Sequence, residues 1–156
     1  MVNTLIQIEL GTILNSNAAI YMLRRLGFMV GDWAEDMLRQ PTFKWSSRTF
    51  CLNIVEASGA ELGFKQKMSY GAVCESFVKK GYALCPPEIG PQLRLQYRVQ
   101  PANNWLMLAM PPVLDSVGYQ SIFFLGRGSG GLWLGASRGH PDVMLSPSTR
   151  FVACRP

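Results

Sequence analysis

At 156 residues the chain fits one domain and is long enough to bury a core of its own. Apolar residues make up 48% and charged residues only 16%, against roughly 25% charged in an ordinary soluble domain. The net charge of +5 permits attraction to nucleic acid, but the only basic doublets are Arg24-Arg25 and Lys79-Lys80, which excludes a dense basic arm.

Residues 1–10 read as a short strand or extended arm, with Leu5, Ile6, Ile8 and Leu10 apolar. Asn15-Ser16-Asn17 offers caps for a helix reaching Val30, with Ile20 and Leu23 at i, i+3. Asp32 is placed to cap a second helix, in which Trp33/Met37 and Ala34/Leu38 are i, i+4 pairs and Pro41 lies past the end. Residues 42–48 read as a linker and 49–55, TFCLNIV, as a strand. The clearest helix is 69–80, capped by Ser69 and ended by Lys79-Lys80-Gly81.

From Leu84 the pattern changes. Cys85-Pro86-Pro87-Glu88-Ile89-Gly90-Pro91 reads as a stiff turn. Leu93, Leu95, Tyr97 and Val99 then alternate with Arg94, Gln96 and Arg98, the pattern of a half-buried strand. Residues 105–110 and 121–125 are apolar on both faces and read as central strands covered on both sides. Gly126–Gly131 reads as a hairpin leading into the strand 132–136. A loop through Gly139, His140, Pro141 and Asp142 leads to a last strand, Phe151–Arg155. The expectation is a single α+β domain, N-terminal helices packed on a C-terminal antiparallel sheet, a meander or partly closed. Within it, 1–30 form an arm or extension, 31–82 are mainly helical and 83–156 mainly β.

No segment has the length of a membrane span, and MVNTLIQIEL lacks a basic n-region and carries Glu9, so a cytoplasmic location is expected. The four cysteines, without CxxC spacing, read as buried thiols in a reducing compartment. With His140 as the single histidine, neither a metal nor a cofactor is expected.

Several motifs have a bland and a chemical reading. Gly126-Arg127-Gly128-Ser129-Gly130-Gly131 matches the dinucleotide fingerprint, but LWLGAS after it reads as a strand where that site needs a helix. Cys85, His140 and Asp142 could form a nucleophile–base–carboxylate set, and Glu88, Asp115 and Asp142 could supply paired carboxylates, though nothing in the spacing joins them. Residues 60–80 have the outline of a helix-turn-helix whose second helix lacks base-reading side chains near its start. Trp105, Trp133, Tyr97 and Tyr119 with Arg94, Arg98 and Arg138 could line a stacking surface, because Arg and Trp together are what binding surfaces favour.

Leu84-Cys85-Pro86-Pro87-Glu88-Ile89-Gly90-Pro91, running on through Leu93-Arg94-Leu95-Gln96-Tyr97, resembles a segment shared by a set of bacterial proteins of no assigned activity. Gly31-Asp32-Trp33-Ala34, Trp105, the hairpin Gly131-Leu132-Trp133-Leu134 and the terminal Arg150-Phe151-Val152-Ala153 extend the resemblance over residues 31–156. It implies a bacterial source and carries over no functional residue.

The function expected is therefore that of a non-enzymatic binding or interaction protein, with a second copy or another protein as partner and a small-molecule ligand as a further option. The candidate surface is Glu88, Arg94, Gln96, Tyr97, Trp105, Trp133, Arg138 and His140. The alternatives are a nucleic-acid-associated protein and a small enzyme with its site at the 85–91 and 137–142 loops.

Overall fold

The computed structural model describes residues 1–156. Four helices and ten strands follow one another as β1 (Asn3–Leu10), α1 (Ser16–Arg25), β2 (Met29–Val30), α2 (Asp32–Leu38), β3 (Phe50–Ser58), β4 (Met68–Ser69), α3 (Tyr70–Lys79), α4 (Ile89–Gln96), β5 (Trp105–Leu108), β6 (Val113–Leu114), β7 (Gln120–Gly128), β8 (Gly131–Arg138), β9 (Met144–Leu145) and β10 (Arg150–Arg155).

Local chemistry accounts for the helix ends. Asn15 accepts the Ala18 N–H at 2.9 Å, and Ser69 accepts that of Ala72 at 3.1 Å, each satisfying an orphan donor of a first turn. Gly27 and Gly81 follow the ends of α1 and α3 with φ of +86° and +90°, where a side chain would strain the backbone. Asp32 is the first residue of α2 and not its cap; Gly31 takes that place, and Asp32 with Glu35 supplies negative charge to the first turn. Between β3 and α3 lie only turns and the short strand β4, so no helix-turn-helix forms.

The sheet departs from the expected antiparallel meander. Its order is β1-β3-β10-β5-β7-β8-β2, with β6 paired to β7, and it is mixed because β10 runs parallel to β5 and β2 parallel to β8. Strands from both halves interleave, so the helices are not a separate N-terminal layer. Residues 1–10 do not form an arm: β1 pairs with β3, and Ile8 and Leu10 enter the core.

The largest correction is α4. The alternating stretch expected as a strand is a helix, opened by the Ile89 and Gly90 amides donating to Pro86 and Pro87 carbonyls. Three prolines at the helix start cost no hydrogen bonds, because first-turn N–H groups have no intrahelical partner. Ile89 through Leu95 are all buried, polar members included, so alternation did not mark a solvent face.

α4 packs against β1 at one edge of the sheet and against β7 and β8 towards the other. Strands lie about 4.8 Å apart, so β1 and β8 would be separated by roughly 24 Å in a flat sheet. A helix about 10–12 Å across touches both only if the sheet curls around it. The main core fills this concave face, where α1, α2 and α4 meet Ile8, Ile54, Leu106, Leu108, Phe123, Leu125 and Val152. On the convex face α3 lays Val73 and Phe77 over Val55, Ala57, Phe151 and Ala153, whose small members leave room for the helix. The Tyr70 hydroxyl ties α3 to β5, accepting the Met110 N–H at 2.9 Å and donating to the Leu108 carbonyl at 2.8 Å. Burial raises its pKa and keeps that proton in place.

Candidate functional site

Of the eight residues of the expected surface, Glu88, Arg94 and Tyr97 are buried and Gln96 is half-buried. Glu88 is buried, and its carboxylate accepts the Ser46 N–H at 2.8 Å and the Gly11 N–H at 2.9 Å, clipping two loops to the start of α4. Gly11 makes this approach possible, since a Cβ there would stand 1.8 Å from the Arg48 carbonyl oxygen. The Gln96 amide accepts the Glu9 N–H and donates to the Glu9 carbonyl, both at 2.8 Å, standing in for a missing neighbour strand along β1. Tyr97 is buried at the end of α4.

Arg94 is fully buried and has no carboxylate partner. Its guanidinium donates to Gln100 Oε1 at 2.7 Å and to the carbonyls of Trp133 at 3.2 Å, Gly126 at 3.4 Å and Tyr97, binding α4 to the β7–β8 hairpin. Burial pulls its pKa down to about 10, far enough above neutrality that it stays charged. Arg94 and Arg98 both lie over the Phe28 ring, at 5.6 and 5.4 Å. The continuous arginine–aromatic surface expected for nucleic acid is therefore not formed.

Trp105 and Trp133 flank Gly126 in one row of the convex face, beyond the reach of α3. The Trp105 ring lies so close over Gly126 that a Cβ there would stand 1.9 Å away, and Phe124 covers Gly135 in the same manner. This half of the second face is thus roofed by its own aromatic rings, with Trp105 48% exposed. Residues 105–110 are central, as expected, but their convex side is only partly covered.

Arg138 and His140 come together elsewhere, in a continuous pair of clefts of about 280 and 420 Å³ that share Tyr119 and Arg138. The first is bounded by Trp33, Asp115, Tyr119, Ser121 and residues 136–138, and the second adds Gln120, His140 and Asp142. The Arg138 guanidinium stacks on the Tyr119 ring at 4.0 Å. Trp33 and Tyr119 are 53% and 49% exposed, and Leu114 and Val117 in the turn between β6 and β7 are exposed too. Asp115 organises that turn: it accepts the Val117 and Tyr119 N–H groups at 3.0 and 2.9 Å and faces the Ser121 hydroxyl at 3.2 Å. Asp36 of α2 accepts the Ser116 N–H at 2.8 Å, which fixes the turn against the helix carrying Trp33.

Trp33 and Asp115 were not expected in a common site with Arg138. Trp33 reads as a core member of α2 through its i, i+4 pairing with Met37, yet only Met37 is buried. The turn signal Asp115-Ser116-Val117-Gly118 was available in the sequence, but its contact with α2 is long-range.

Cys85 does not line the clefts that hold His140 and Asp142, and of Glu88, Asp115 and Asp142 only the last two line them. Cys85 is buried with its sulfur 3.7 Å from that of Cys154, and the pair shifts in opposite directions, Cys85 up and Cys154 down. His140 is at the surface, where Nδ1 accepts the Asp142 N–H at 3.1 Å and tightens the loop. The second cleft includes His140 and Asp142 but not Glu88. Of the other thiols, Cys51 is exposed and Cys74 half-buried, so only two of the four match the buried expectation. No three His, Cys, Asp or Glu side chains converge as metal ligands, and no helix is long and apolar enough to cross a membrane. No family model, curated protein or solved structure matches the chain.

Proposed function

We propose that this chain is a non-enzymatic binding protein that recognises its partner at the cleft between α2 and the β6–β7 turn. The carrying observation is the Arg138–Tyr119 stack at 4.0 Å, facing half-exposed Trp33, with no carboxylate in ion-pair contact with Arg138. An arginine prepositioned on an aromatic ring beside an exposed tryptophan gives strong contacts at little entropic cost, as binding hot spots require. The clefts, of about 280 and 420 Å³, form a shallow surface trough rather than an enclosed cavity, which favours a protein segment over a swallowed small molecule.

The test is selection of binders from a phage-displayed random peptide library, followed by NMR mapping on the labelled protein. The reading expects shifts centred on Trp33, Tyr119 and Arg138, and a loss of about tenfold or more in affinity in Arg138→Glu. Binders that map elsewhere, or none, overturn it.

A second reading, self-association, is supported by the row of Trp105, Gly126 and Trp133 outside the cover of α3. Sedimentation equilibrium decides it: Trp105→Ser shifts a dimer towards monomer, and a wild-type monomer at high micromolar concentration removes it.

A further inference from the structure

We infer that the partner binds as an extended peptide strand, adding itself to the open edge of β8 at residues 136–138; this rests on the cleft reading above. The two edges of the sheet are finished differently. At β1 the outward N–H and C=O of Glu9 are both taken by the Gln96 amide, and the Gly11 N–H is taken by Glu88. Residues 9–11 of that edge are thereby closed to an incoming strand.

The opposite edge is closed for two residues only. β2 pairs Met29 with Trp133 and Val30 with Leu134, and the Gly31 N–H then donates to the Leu134 carbonyl at 2.9 Å before the chain turns into α2. Beyond Leu134 no backbone hydrogen bond reaches β8 from that side, although α2 packs nearby. In an antiparallel pair, residues alternate between bonding the partner strand and pointing their backbone groups away from it. Gly139 bonds Gln120 across the β7–β8 ladder, so Arg138 and Ala136 present their N–H and C=O groups outwards, in step with Leu134. Ala136, Ser137 and Arg138 also line the cleft with Trp33 and Tyr119. No proline or bulge guards this stretch, and its one charged side chain, Arg138, is stacked on Tyr119.

Backbone pairing gives affinity in such a site, and flanking side chains give selectivity. Arg138 lacks an acidic partner in a chain of 15 Lys and Arg against 10 Asp and Glu. The occupant is accordingly a segment of another protein that carries an acidic side chain against Arg138 and an apolar or aromatic one against Trp33 and Tyr119. The carboxylates lining the clefts are engaged elsewhere: Asp115 takes the amides of its own turn and the Ser121 hydroxyl, and Asp142 lies 3.8 Å from His140.

The probe is a phage-displayed library of peptides of roughly eight residues with valine fixed at alternate positions. Selected sequences are synthesised with and without N-methyl groups, and amide exchange is followed on the full-length protein. The expected outcome is enrichment of Asp or Glu at one position, exchange at Ala136 and Arg138 slowed by about tenfold or more, and affinity lost when alternate peptide amides are N-methylated on one register only. Ala136→Pro, which removes one outward N–H, abolishes binding while the fold persists; the N-methyl series decides the matter if that variant fails to fold. Peptides that bind with Trp33 and Arg138 shifts but leave the Ala136 and Arg138 amides unprotected overturn strand addition and leave the cleft reading standing. Absence of any binder overturns both. Protection of these amides in the free protein that disappears on dilution overturns the inference differently, because a second copy then holds the edge.

Discussion

At the residue scale, two glycines separate rigid from yielding neighbours. A Cβ on Gly90 would stand 2.4 Å from Phe123, a ring with no exposure and α4 directly above it. Alanine is the better helix former by about 1 kcal/mol, but overpacking a closed core costs typically 1–3 kcal/mol and more where nothing can move. Gly90→Ala therefore destabilises the protein despite its helix propensity, read as a lower urea midpoint with unchanged slope. Gly126 makes the opposite case, because the Trp105 ring above it is half exposed and can swing away. Gly126→Ala should cost about 1–2 kcal/mol, the packing of that ring on the strand. The same substitution in a Trp105→Ala background should cost almost nothing, a coupling that a double-mutant cycle measures. Additive costs would show that the ring does not depend on the glycine.

At the element scale, α1 and α2 are joined through Glu35, which takes Arg39 at 3.0 Å and Arg24 from the neighbouring helix. The Arg39 hydrogen bond, with Arg24 adding to it, holds the Glu35 carboxyl below its ordinary 4.5. A depressed carboxyl pKa contributes stability that is present above the unfolded value and lost as pH falls through the folded one. Glu35→Gln should thus lower the melting temperature at neutral pH, by the equivalent of about 0.5–1 kcal/mol for pairs this exposed, and match wild type in strong acid. A difference that persists at low pH would assign the effect to something other than charge. α3 was legible because its cap, apolar stripe and terminal glycine are all local signals, and the β7–β8 hairpin was legible for the same reason. α4 was not. Arg94, Gln92 and Gln96 are polar letters spent on buried or edge-capping bonds, so the alternation around them imitated a strand. Likewise Arg138 and His140 were expected at a site, whereas Trp33 reached it only through the long-range contact of Asp36 with Ser116.

At the scale of the whole molecule, a curled sheet with ends this different needs each edge to be controlled separately. β1 lies at one end and is backed by α4, whose Gln96 occupies the backbone groups of Glu9 as a strand would. Its removal leaves an unpaired donor and acceptor on a strand rich in Leu and Ile, the condition under which edges pair between molecules. Gln96→Ala should therefore do two things that a simple loss of packing would not. It should lower stability by about 1–2 kcal/mol, for two hydrogen bonds, and it should produce concentration-dependent association visible by light scattering below the melting transition. Gln96→Glu keeps an acceptor for the Glu9 N–H but loses the donor to its carbonyl, and should fall between the two. Placing a lysine at Gln7, on the same strand, should suppress the association without restoring the lost stability, because charge discourages edge pairing but replaces no hydrogen bond. If Gln96→Ala remains monomeric at all concentrations, the edge is protected by the curl of the sheet and not by the side chain, and the contrast between the two edges loses its basis.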